Sequence, residues 1–134
     1  MRYYIAYKYS NHGNKEELKN KLESISQKLA SWGHQTFVLG RDVKKWHHQH
    51  EHMGSFRLVP VIFHNMRRCD AVLAYIDSPA FSKGLLFEAV IAKILRKDTI
   101  LINESDNGKK LFNLFFNKIH HVTNLQQLDQ KILE

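Results

Sequence analysis

The chain has 134 residues, 43% hydrophobic and 25% charged, with a formal net charge of +7. That length fits one domain over residues 1–134, and that apolar content builds a real core and excludes a disordered or low-complexity chain. One cysteine, Cys69, excludes an internal disulfide, and no apolar run approaches the ~20 residues a membrane helix needs, so the expected setting is cytoplasmic with no membrane partner.

In chain order, RYYIAY (2–7) predicts a strand rich in aromatic and β-favouring residues. SNHGN (10–14) is a loop. Leu18, Leu22, Ile25 and Leu29 recur at helical spacing, and Gly33 ends that helix. QTFVLG (35–40) predicts a second strand. Residues 41–55 are polar and rich in histidine, with His47, His48, His50 and His52 in WHHQHEH. His48 and His52 stand four apart, but no cysteine and no second half accompany them, so a polar surface outweighs a metal site. FRLVPVIFHNMRRC (56–69) predicts a helix in which Pro60 must sit in the first turn or break it.

AVLAYID (71–77) is a continuous apolar run, as in a strand covered on both faces. A nearly apolar helix follows in KGLLFEAVIAKILRK, and TILIN (99–103) is another buried strand. KKLFNLFFNK (109–118) predicts a helix, HHV (120–122) a last short strand and NLQQLDQKIL (124–133) a closing helix. Strands alternating with helices predict an α/β domain, a parallel sheet wrapped on both faces. Ligands of such sheets bind beyond the carboxyl ends of the strands.

One residue resists the apolar pattern. From Gly84 to Leu95 the only charges are Glu88 and Lys93. At about 100° per residue, Glu88 shares a stripe with Leu85, Ile91, Ala92 and Leu95, the face a sheet should bury. A buried carboxylate is rare unless it is paired or used. The bland alternative is a satisfied glutamate near a helix start, where Ser82 can cap and negative charge is favoured. The helix is also apolar nearly all round. One sheet cannot cover both sides of it, which points to a homodimer or a higher homo-oligomer.

The segment CDAVLAYIDSPAFSKGLLFEAVIAKILRKDTILI resembles the signature of the nucleoside 2-deoxyribosyltransferase family, including its 2′-deoxynucleoside 5′-phosphate N-hydrolase branch. The resemblance rests on Cys69-Asp70, AVLAYID, Ser78-Pro79, Ser82-Lys83-Gly84, Glu88, Ala89, Ala92, Lys97 and TILI. It implies a Rossmann-like (flavodoxin-like) fold with five parallel strands. It implies Glu88 as a nucleophile toward C1′ of the sugar, with a nucleoside or nucleotide as partner and no cofactor. Ser78, Ser82 and Gly84 would bind substrate, Ser82 at a 5′-phosphate. Tyr4 matches an aromatic position of the family's first strand. Lys8 and Ser10 occupy a loop of phosphate contacts. The chain also departs from the pattern. Tyr7 stands where a small residue is usual and would crowd the site. Ile62 stands where the family carries an Asp that acts on the leaving base, and His64 or Asn65 could substitute for it.

Two further readings stand beside this one. The lost Asp at Ile62 fits a non-catalytic nucleotide-binding sensor or regulatory protein. The net charge of +7 admits a nucleic-acid-binding domain, but the basic residues are scattered and form no stripe, which argues against that partner.

Overall fold

The computed structural model of the chain describes residues 1–7, 15–42, 54–76, 83–104, 116–122 and 128–133. Five strands form one sheet in the order β2-β1-β3-β4-β5, every pair parallel. The strands are β1 (Arg2–Tyr7), β2 (Gln35–Val38), β3 (Ala71–Ile76), β4 (Asp98–Asn103) and β5 (Lys118–His121). The helices are α1 (Lys15–Ser31), the short α2 (Leu39–Asp42), α3 (Gly54–Arg67) and α4 (Lys83–Ile94). The five-stranded α/β architecture expected from the sequence is present.

Pleating divides the sheet into two cores. Tyr3, Ile5, Leu73, Ile100 and Ile102 turn to one face and meet Leu18, Leu22, Ile25 and Leu29, the stripe of α1. Tyr4, Ala6, Val72, Ala74 and Leu101 turn to the other and meet Ile62 and Met66 of α3 and Leu85, Ala89 and Ala92 of α4. β3 is buried along its whole length, which is why it reads as an unbroken apolar run. α1 is amphipathic, with Glu16 and Glu17 in its first turn, where negative charge complements the helix dipole.

β1 and β3 are neighbours, and the chain leaves them toward opposite faces, through α1 and through α4. This is the switch point of the sheet, the place where open α/β sheets generally bind their ligands.

Four expectations need correction. The second strand stops at Val38; Leu39 and Gly40 already belong to α2. Pro60 is the seventh residue of α3, inside the helix, and neither starts nor breaks it. Its ring is exposed. Residues 116–118 are not helical: Lys118 opens β5, two residues before the expected strand, and Asn117 is held by Thr99. The Thr99 hydroxyl donates to Asn117 Oδ1 at 2.8 Å and the Asn117 amide donates back to Thr99 Oγ1 at 2.9 Å. Within 128–133 the closing helix is replaced by one 3-10 turn, Gln130–Leu133.

Candidate functional site

Glu88 lies in the second turn of α4, and its neighbours on the inward stripe are Leu85, Ala89 and Ala92, all buried. Glu88 itself is 9% exposed. The small residues Ala89 and Ala92 let α4 approach the sheet closely. The helix packs on β1, β4 and α3, so a carboxylate on this stripe must point at sheet residues.

Tyr4 is the residue it faces. Tyr4 is fully buried in the middle of β1, its ring against Phe37 of β2 at a centroid distance of 5.3 Å. Burial raises the Tyr4 phenol well above its ordinary value of about 10, and the Glu88 carboxylate raises it further, by its charge and as a hydrogen-bond acceptor. The hydroxyl has no partner at strict hydrogen-bond geometry. The two groups therefore stand face to face, with the phenol kept protonated and able to donate. A neutral donor opposite a buried carboxylate can orient it without neutralising it.

The remaining expected residues separate into three groups. Gly84 is in the first turn of α4, one turn before Glu88. Tyr7 ends β1 but turns to the opposite core, with Tyr75 beside it in register. Its ring therefore fills the α1 side instead of crowding Glu88. Lys8, Ser10, Ser78 and Ser82 lie outside the described residues, as does the histidine cluster 47–52. Among the described residues no group of three or more metal-ligating side chains comes together.

His64 requires a correction. It was expected to serve as the acid beside Glu88, but it lies on the exposed side of α3. Ile62 is buried at 6% in the same core as Tyr4. Two residues along a helix is a rotation of about 200°, so a helix that turns Ile62 inward must turn His64 out. The Asn65 side-chain amide donates to the Val61 carbonyl of its own helix at 2.8 Å.

A second polar group at the carboxyl edge was not singled out beforehand. The Tyr75 hydroxyl donates to Glu104 Oε2, Lys21 of α1 donates to the same oxygen at 3.3 Å, and Lys21 also pairs with Glu17 at 3.4 Å. Glu104 is thus engaged within its own chain. The spacing of Glu17 and Lys21 was visible, but their link to Glu104, 83 residues from Lys21, depends on the tertiary fold.

No family model and no curated relative matches the chain. Solved structures do. A 2-deoxyribosyltransferase from Bacillus psychrosaccharolyticus superimposes with a TM-score of 0.64 at 19% identity, over 99% of this chain and 96% of its own. The CMP N-glycosidase BcmB of Clostridium botulinum gives 0.60 at 19% identity, over 91% of this chain and 87% of its own. This chain has their fold. The likeness runs over nearly the whole chain, whereas the signature read from the sequence covered residues 69–102. No helix among the described residues is long and apolar enough to cross a membrane.

Proposed function

We propose that this chain breaks, or transfers across, the N-glycosidic bond of a nucleoside, deoxynucleoside or 5′-monophosphate. The observation that carries the reading is the buried Glu88 carboxylate facing the buried Tyr4 hydroxyl on a fold shared with a deoxyribosyltransferase and a CMP N-glycosidase. In the proposed reaction a Glu88 oxygen bonds to C1′ as the C1′–N bond breaks. The base leaves with the electron pair and takes a proton. The glycosyl ester is then opened at C1′ by water, which releases the sugar and a proton, or by the nitrogen of a second base, which rebuilds a nucleoside. Tyr4 donates toward Glu88 and fixes its attacking orientation. Gly84, with Ser82 and Ser78, belongs to the substrate-binding side of this reading, and Lys8 and Ser10 to phosphate binding.

The test is base release. The purified protein is incubated with each deoxynucleoside, ribonucleoside and 5′-monophosphate, with and without a second free base, and products are separated by chromatography. Release or exchange that vanishes in Glu88→Ala supports the reading and identifies the substrate. Retained release in that variant overturns the role of Glu88.

The burial of Ile62 and the outward turn of His64 favour a second reading, a nucleotide-binding regulator without turnover. A missing acid commonly costs on the order of 10²–10⁴ in rate. Nucleotide binding that persists in Glu88→Ala, with no product from the parent protein at high enzyme concentration, selects this reading.

The oligomer expected from sequence belongs to the same proposal. Val90 and Ile94 on α4 and Phe63 on α3 are exposed, and this is the face a second copy would cover. Sedimentation velocity on the parent protein and on Ile94→Glu measures it; a parent that sediments as a monomer at micromolar concentration removes it.

A further inference from the structure

Among the described residues β2 is an edge strand, and its outer side is where a sheet can add another chain. In a parallel ladder alternate residues send their peptide groups to the same side. The Gln35 amide donates inward to the Met1 carbonyl at 2.9 Å, so the groups that face outward are those of Thr36 and Val38. The Thr36 carbonyl and the Val38 amide are occupied by side chains from the next element. Arg41 Nη2 donates to the Thr36 carbonyl at 2.8 Å, and Asp42 Oδ2 accepts from the Val38 amide at 2.8 Å.

The two side chains are fastened to each other as a fork. Arg41 Nε donates to Asp42 Oδ1 at 3.0 Å and Arg41 Nη2 donates to Asp42 Oδ2 at 2.9 Å. Arg41 Nη1 reaches Ser26 Oγ of α1 at 3.2 Å, and the Thr36 hydroxyl donates to the same Ser26 oxygen at 3.0 Å. One donor to residue 36 and one acceptor for residue 38 is the pairing that a single residue of a sixth strand would make opposite residue 37. The fork therefore imitates a neighbouring strand and ends the sheet. It also explains why the strand expected to run to residue 40 stops at Val38: Leu39 and Gly40 must turn to bring Arg41 and Asp42 back onto the edge.

We propose that Arg41 and Asp42 form a lock on the β2 edge that prevents this sheet from continuing into β2 of a second copy. With the lock removed, the outward groups of Thr36 and Val38 are self-complementary about a two-fold axis and pair antiparallel, joining two sheets. The ion pair alone would contribute little, since both side chains are about one-third exposed. The two backbone hydrogen bonds carry the effect.

The experiment combines amide exchange and sedimentation on the full chain, as the parent, Asp42→Ala, Arg41→Ala and Asp42→Asn. In Asp42→Ala the Val38 amide should exchange about tenfold faster relative to Leu73 in the central strand, and a species larger than any seen for the parent should grow with protein concentration. Asp42→Asn keeps an acceptor oxygen and should behave as the parent. An unchanged Val38 rate, or no added association in either alanine variant, overturns the lock. Should the alanine variants not fold, the parent decides alone: a Val38 amide that exchanges as fast as a solvent-facing edge amide overturns it, and a protected one supports it.

Discussion

The two faces of the sheet are built to different rules. On the α1 face the helix buries four aliphatic side chains, Leu18, Leu22, Ile25 and Leu29, against Ile5, Leu73 and Ile100, and its one buried polar group among the described residues, the Ser26 hydroxyl, is bonded to Thr36 and Arg41. Its charges are kept at the rim, where Glu17, Lys21 and Glu104 pair in partial contact with water. On the α4 face the inward stripe contains a carboxylate, and the sheet answers it with a phenol in the middle of β1. Burying such a group away from water costs several kcal/mol unless it is well held. A core needs no carboxylate there, as the α1 face demonstrates on the same sheet. On the proposed function, the difference assigns stability to one face and chemistry to the other.

Exchanging the two kinds of residue should separate those roles. Glu88→Gln keeps the shape and removes the nucleophile. Activity should fall by about 10³-fold or more, while the urea midpoint holds or rises because the buried charge is gone. On the other face, Leu22→Ala removes a side chain with no exposure and should cost about 2–5 kcal/mol, with turnover per folded molecule unchanged. A Glu88→Gln protein as destabilised as Leu22→Ala would make Glu88 a structural residue and abolish the contrast.

Tyr4→Phe gives a smaller effect, and its sign depends on pH. The phenol is raised well above its ordinary value of about 10 by burial first and by Glu88 second. Above pH 10 the unfolded chain loses this proton and the folded chain keeps it. Stability is therefore full below about pH 10 and is lost as pH rises toward the folded value. Tyr3 shifts in the same direction, again mainly by burial, so Tyr4→Phe should flatten the alkaline limb of the stability curve without abolishing it. At neutral pH the activity of the variant should fall, because Glu88 loses the neutral donor that faces it. An alkaline limb unmoved by the substitution would show that the Tyr4 hydroxyl is not held away from solvent.

How much of this was legible in the sequence follows from the range of the forces involved. β1, β3, β4 and α1 could be read because each has a local period or an unbroken apolar run. Glu88 could be read because one charge breaks an otherwise apolar stripe. The end of β2 could not, since the strand is cut short by a fork that returns from Arg41 and Asp42 to cap its edge. KKLFNLFFNK has a helical pattern, but Asn117 is claimed by Thr99 eighteen residues earlier. His64 is two positions from the residue it was meant to replace, and on a helix that spacing reverses the face. Proximity in sequence does not give proximity at a site when the element is known and its phase is not. Tyr4 could be named only through the family resemblance; nothing in RYYIAY distinguishes Tyr4 from Tyr3 or Tyr7 until the pleat assigns their faces.

The smallest expected effect compares how the helix on each face ends. α1 and α4 finish in the same hydrogen-bonded turn. His34 donates to the Leu29 carbonyl at 2.9 Å and Gly33 to Ala30 at 3.0 Å; Lys97 donates to Ala92 at 2.9 Å and Arg96 to Lys93 at 3.0 Å. The turn requires a left-handed residue, which is Gly33 at φ 87° after α1 and Arg96 at φ 56° after α4. Glycine adopts that region freely and arginine does not. A methyl group at Gly33 would meet no atom within 4 Å, so Gly33→Ala tests the backbone alone and should cost about 1 kcal/mol. Arg96→Gly should move the urea midpoint the other way by less, about 0.5 kcal/mol, because the glycine gains freedom in the unfolded chain as well. Opposite signs would mean that the α4 end carries backbone strain that the α1 end does not. If both variants lose stability, the Arg96 side chain contributes more than its backbone costs, and the two ends differ in contacts instead of conformation.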